Sequence, residues 1–215
     1  GCGSGWRRPG SGSRRSPAAE MARVLPYGAR AWLVEAADAD GALGLHRAVL
    51  ASDLPVVESV PAARSVLVRF ASERDCAGAR TRLERLEAVV VESVSRTVVT
   101  IPVLYDGADL AEVARLTGLA ERAVVARHTG GDYVVGFVGF APGFAYLLGL
   151  DPRLHVPRLD SPRTAVPAGS VAIAGPYAAI YPTASPGGWR LLGRTATTVF
   201  DVEREPPALL APGTR

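Results

Sequence analysis

Two arginines follow prolines at matched spacing, Pro157-Arg158 and Pro162-Arg163, in the pattern Pro-Arg-x-x-x-Pro-Arg. Proline fixes its own φ and stiffens the chain entering each arginine. A guanidinium offers a planar fork of donors that matches a carboxylate or a phosphate. The doublet therefore points to anion binding; the plainer reading is a pair of solvated loop side chains. Further on lie Ser185-Pro-Gly-Gly-Trp189 and Gly193-Arg194-Thr195. Gly187 and Gly188 can turn successive backbone N–H groups toward an anion, and Trp189 either walls a pocket or fills the core. Phe140, Pro142, Gly143 and Phe144 belong to the run Gly139-Phe-Ala-Pro-Gly-Phe-Ala-Tyr-Leu147. Its glycines permit tight turns or close backbone approach, and its aromatic rings suit either a pocket wall or a hydrophobic turn. His128 ends a helical stretch. A histidine there either interacts with exposed carbonyls or is placed to move a proton.

What the chain lacks narrows the chemistry. All 24 basic residues are arginine. Without lysine there is no Walker A phosphate loop, no Schiff-base chemistry, no biotin attachment and no Ser-Ser-Lys amidase triad. No Gly-x-Ser-x-Gly elbow occurs. His46, His128 and His155 are far from one another and from Cys2 and Cys76, so no local metal-ligand pair exists and no metal site is expected. The formal charge of +3 is carried by residues 1–20, where Arg7, Arg8, Arg14 and Arg15 outweigh Glu20; the remainder is balanced. That Gly/Ser/Arg segment cannot bury apolar surface and is expected to be disordered, an upstream extension before a natural start at Met21. No apolar run nears the roughly 20 residues that span a membrane, and no signal peptide is evident. A soluble cytoplasmic protein is expected.

The elements that must position these residues fall into two groups. Residues 21–105 read as an α/β unit: a strand at 31–36, a helix capped by Asp40 and running to about Ala51, strands at 56–60 and 65–70, a helix from Ser72 to about Glu87, and strand-like stretches at 89–92 and 97–104. The order βαββαβ suggests a ferredoxin-like sandwich. Residues 106–215 begin with two short helices, 109–115 and 121–127, around Gly118. These imitate a helix-turn-helix, but the second offers base edges few polar side chains among its alanines and valines, and the domain has no net positive charge for phosphates. A structural αα-corner fits better. Residues 130–193 hold eleven glycines and eight prolines. Short strands at 133–139, 170–174, 179–181 and 197–202 among such turns predict a β-barrel or sandwich.

Taken in order, His128, Tyr133-Val-Val, Gly139-Phe-x-Pro-Gly-Phe-x-Tyr-Leu147, Pro157-Arg, Ser161-Pro-Arg, Val166-Pro-Ala-Gly-Ser-Val-Ala-Ile-Ala174, Ile180-Tyr-Pro, Ser185-Pro-Gly-Gly-Trp189 and Gly193-Arg-Thr195 resemble the KipI-like family of 5-oxoprolinase B subunits, also called allophanate hydrolase subunit 1 or carboxyltransferase domain, subdomains C and D. Ile101-Pro-Val-x-Tyr105, Asp109-Leu and Tyr27-Gly28 extend the resemblance over nearly everything after the first twenty residues. It implies an α+β protein: a ferredoxin-like N-terminal domain and a cyclophilin-like C-terminal β-barrel. It also implies an ATP-using hydrolase subunit, inactive alone, that opens 5-oxoproline to glutamate. Its partners would be a carboxyltransferase-type C subunit, similar to allophanate hydrolase subunit 2, and a LamB/YcsF-type A subunit. ATP would bind on this chain or on a partner. On this reading Arg158 and Arg163 clamp the substrate carboxylate or phosphate, and Arg194 and Thr195 with Gly187 and Gly188 do so from the other side. His128 transfers a proton, and Phe140, Pro142, Gly143, Phe144 and Trp189 shape the pocket. Relatives described as histidine-kinase inhibitors or fused within urea amidolyase supply the alternatives. No nucleic acid or membrane is implied.

Overall fold

The computed structural model describes residues 23–89 and 98–215. The expected tail, Met21 and most of the strand-like stretch 89–92 lie outside them.

The N-terminal half follows its hydrophobic periodicity. Strand β1 (Val24–Pro26) pairs with β2 (Ala31–Glu35) as a hairpin. Helix α1 (Ala39–Ala51), strands β3 (Val56–Pro61) and β4 (Ser65–Phe70) and helix α2 (Glu73–Glu84) follow. Val66, Val68 and Phe70 alternate along β4 and are fully buried, as period 2 demands of one sheet face. Ala42, Leu45 and Val49 of α1 and Cys76, Ala79 and Leu83 of α2 join them in one core. The cap of α1 is Asp38 rather than Asp40: Asp38 is extended and its carboxylate accepts from the Gly41 N–H at 2.8 Å, leaving Asp40 in the first turn. Ser72 caps α2 as expected, accepting from the Asp75 N–H.

The sheet order is β1-β2-β4-β3, all antiparallel. A ferredoxin-like sandwich would set its last strand beside β2; here β1 takes that edge. Residues 98–104 form no strand, and the stretch contributes one bridge, Leu104 to Arg194.

The C-terminal half opens with α3 (Leu110–Thr117) and α4 (Glu121–Thr129). Gly118 turns between them at φ +66°, a conformation open to glycine at little cost. The pair is a structural corner: Leu110, Val113, Val124 and Leu154 share a core with Ile173 of the sheet, and Arg127 is held by Asp151 at 2.6 Å. Strands β5 (Val134–Val138), β6 (Ala145–Leu148), β7 (Arg163–Val166), β8 (Ser170–Ala174), β9 (Tyr177–Ile180), β10 (Ser185–Gly187) and β11 (Arg190–Arg194) follow. Five form a sheet in the order β11-β8-β9-β6-β5, and β10 pairs with β7 separately. The larger sheet has two edges, so the described strands do not close into the expected barrel. The expected strand at 197–202 is replaced by a single bridge, Phe200 to Ala208.

Register divides the five-stranded sheet into two faces. Val171 lies opposite Ile180 and Ile173 opposite Ala178, while Ala172 lies opposite Ala179. The first set packs toward α3, α4 and residues 99–103. The second packs against Phe144, Tyr181 and Trp189. The two halves of the chain meet where Ala39 and Ala63 pack against Phe137 and Tyr177.

Candidate functional site

The aromatic face of the sheet carries a continuous ring cluster. Phe144 stands edge-on to Phe140, Tyr181 and Trp189 at centroid distances of 5.3, 5.2 and 5.6 Å. Tyr146 bridges Phe144, Trp189 and Tyr177, and stacks on Phe137 at 4.3 Å. Edge-to-face contacts of this kind orient rings beyond what apolar burial alone does. Arg158 lies across the outer side of this cluster, its guanidinium carbon 5.7 Å from the Trp189 ring centroid. Its side chain is exposed, and among the described residues it makes no ion pair.

Arg163 plays a different part. Its Nη2 donates to both oxygens of Asp109 at 2.7 and 2.9 Å, and its Nη1 donates to the Trp189 carbonyl. Asp109 is buried and also accepts the Leu191 N–H at 2.7 Å. The Tyr181 hydroxyl meets the Trp189 backbone as well, and burial raises its pKa. The segment carrying Trp189 is thus held from three elements: the start of α3, β7 and the end of β9. A Cβ on Gly187 would overlap the Tyr181 hydroxyl, so this close approach requires glycine. Gly188 lies beside Leu159 and Pro162.

The β5–β6 turn forms the rim. Phe140 adopts φ +69° and is 64% exposed. A bulky residue in the left-handed region costs on the order of 1–2 kcal/mol, and here most of the residue stays exposed. Pro142 is exposed and Gly143 turns at φ +76°, where a Cβ would collide with Phe200.

The structure therefore brings Arg158, Arg163, Phe140, Phe144, Gly187, Gly188 and Trp189 together, with Pro142 and Gly143 in the adjoining turn. Arg194 and Thr195 are elsewhere. Arg194 closes β11, about 15 Å along the strand from Trp189, and pairs with Asp106 at 2.8 Å. Thr195 accepts from the Thr197 N–H.

His128 is on the other face of the sheet. It is 6% exposed, and its Nδ1 hydrogen bonds with the Tyr105 hydroxyl at 2.6 Å. Tyr133 donates to its carbonyl, and both phenol rings pack on the imidazole. Its Nε2 is buried without a partner among the described residues. The sheet stands between this ring and Arg158, so the sequence-level grouping of the two is corrected: they do not share a pocket. Burial lowers the His128 pKa to about 4, which keeps the imidazole neutral at pH 7. The folded value lies below the usual 6.5, so the unfolded chain binds the proton more readily. Stability is present above pH 6.5 and is lost as pH falls toward 4. Between pH 7 and 4.5 this loss is on the order of 2 kcal/mol. Denaturant titrations of the protein and His128→Gln at both pH values check it; an identical pH slope for the two would refute the assignment.

Sequence reasoning missed Asp109 as a site residue, and with it Tyr181 and Tyr105. Asp109 opens the expected helix 109–115; in the structure it precedes α3 and its side chain makes no cap hydrogen bond.

Known proteins are similar to this chain in sequence and architecture. The family model for the carboxyltransferase domain, subdomain C and D, matches residues 22–210. The 5-oxoprolinase B subunit of Escherichia coli O157:H7 is 46% identical over 168 residues, 75% of this chain and 77% of that protein. The 5-oxoprolinase B subunit of Bacillus subtilis (strain 168) is 46% identical over 134 residues, 60% of this chain and 56% of that protein. The crystal structure of TTHA0988 superposes with a TM-score of 0.71 at 39% identity, covering 86% of this chain but 39% of that one. The chain thus spans about two fifths of TTHA0988 and little more than half of the Bacillus protein.

Proposed function

This chain belongs to the carboxyltransferase domain, subdomain C and D family, and from that premise we propose that it is the B subunit of an ATP-dependent 5-oxoprolinase. It works in the cytoplasm with a carboxyltransferase-type subunit and a LamB/YcsF-type subunit, opening 5-oxoproline to glutamate. The names of the relatives at 43–46% identity support the reading. The observation that carries it at the level of chemistry is Arg158, an exposed guanidinium over the Trp189 ring with no carboxylate of its own, among the described residues, to neutralise it.

A lactam resists hydrolysis because amide resonance makes its carbonyl a poor electrophile. ATP supplies a phosphoryl group that turns the amide oxygen into a better leaving group. The cluster in this chain fits the substrate's carboxylate rather than a triphosphate. Arg163 and Arg194 are already engaged by Asp109 and Asp106, and one open guanidinium matches one carboxylate. We therefore assign the nucleotide chiefly to a companion protein. Arg158 holds the carboxylate, and the exposed Phe140 at the rim flanks the ring. The buried Phe144 and Trp189 support that rim from beneath rather than walling a pocket, and the Asp109–Arg163 pair keeps Trp189 in place. Holding the ring in one orientation lowers the barrier by removing its rotational freedom before reaction.

Mixing the purified chain with both companion proteins, ATP and 5-oxoproline should release glutamate and phosphate in equal amounts. Omitting this chain should abolish release. Full turnover without it, or inhibition of a histidine kinase with no turnover in the complete mixture, would overturn the proposal.

A further inference from the structure

A cleft of about 710 Å³ lies on the helix side of the five-stranded sheet, away from Arg158 and Trp189. That volume is within the range of small-molecule pockets. Its floor is aliphatic, with Val135, Leu147, Val171 and Ile180 from four strands. Val99, Ile101 and Val103 line it from the preceding segment. Asp132 and Arg215 stand among its polar lining residues and are exposed, but they pair with each other at 2.7 Å. His128, Tyr105 and Tyr133 form its polar wall.

We propose that this cleft binds a neutral, largely aliphatic small molecule bearing one amide group, with the amide received at His128. Three observations combine. The first is the aliphatic floor, which favours an apolar body because burying it removes apolar surface from water. The second is the side-chain charge balance of the lining: Asp132 and Arg215 pair with each other, and no other described lining residue carries a charged side chain. The third is the imidazole itself. Tyr105 occupies Nδ1 and Tyr133 is spent on the His128 carbonyl, so Nε2 is the one ring atom still lacking a hydrogen bond among the described residues. A buried polar atom without a partner is costly. The direction of the Tyr105 bond decides whether Nε2 donates or accepts. An amide satisfies either case, because it carries an N–H and a carbonyl side by side.

Octanamide titrated into the full chain, followed by the ring nitrogen signals of ¹⁵N-labelled histidine, tests this. The His128 signals should shift saturably, and those of His46 and His155 should not. Octanoate, with the same tail and a charged head, should bind at least about tenfold more weakly. His128→Phe should weaken octanamide binding by up to about tenfold, the worth of one hydrogen bond. Arg158→Ala should leave octanamide binding unchanged, which separates this cleft from the aromatic site on the other face. No saturable shift up to the solubility limit would overturn the proposal, as would equal binding of amide and carboxylate. The comparison of the two ligands on the unaltered protein decides the matter even where His128→Phe does not fold.

Discussion

Arg163→Ala should lower the stability of the protein by about 4 kcal/mol, the scale of breaking a buried ion pair from one side. Asp109 is the reason. Its side chain is 8% exposed and accepts three hydrogen bonds, two from Arg163 and one from the Leu191 N–H. Removing the guanidinium strands a carboxylate that water scarcely reaches. The reverse change should cost less, about 2 kcal/mol, because Arg163 is 28% exposed and can turn its freed nitrogens toward solvent. Replacing both partners together should cost less than the two single changes summed, since neither charge is then left alone. Thermal melts should show the midpoint of Arg163→Ala falling by roughly 10 °C. A loss under about 1 kcal/mol would mean that the pair behaves as a surface contact and does not hold the Trp189 segment.

The Pro-Arg doublet was legible in the sequence, and the division of labour within it was not. Arg158 and Arg163 have the same local context. What separates them is Asp109, which lies 54 positions from Arg163 and stands in the sequence only as the first residue of an expected helix. Only the packing of α3 against β11 brings its carboxylate to the arginine. His128 illustrates a second limit. Its place in the ordered motif series suggested a shared pocket with the arginines, but a sheet has two faces, and which face a residue joins depends on pairing partners. Once Val171 and Ile180 are set opposite each other, the histidine and the arginines are on different sides.

Local signals were strongest where one period ran long enough. Strands β2 and β4 and helices α1 and α2 follow the alternating and helical patterns of their apolar residues, and their limits fall within a few positions of expectation. The C-terminal half was read more coarsely. Strands β6, β7, β10 and β11 have three to five residues each, too few for alternation to stand out, and β10 includes Pro186 and Gly187. These strands exist through tertiary pairing, not propensity. The residues that matter for the proposed chemistry sit on or beside them, so the family resemblance located the motifs before the local pattern could place them in space.

Arg158→Ala should reduce kcat/KM of the complete complex by about 100-fold, near 2.7 kcal/mol, while leaving stability within about 1 kcal/mol. The expectation follows from what the side chain lacks. Arg163 is fully employed in holding the fold, so its loss confounds structure with activity. The Arg158 guanidinium lies over the Trp189 ring, its side chain is exposed, and it has no carboxylate partner among the described residues. Its charge is therefore available to a ligand. Arg158→Lys should recover only part of the activity, because an ammonium keeps the charge but loses the planar fork. If carboxylate binding is the role, much of the loss should appear in KM for 5-oxoproline, and the KM for ATP should stay nearly constant. Equal activity of Arg158→Ala and the parent complex would remove the carboxylate from this site. A defect in ATP affinity alone would instead place the nucleotide at Arg158, contrary to the assignment made from the engaged arginines.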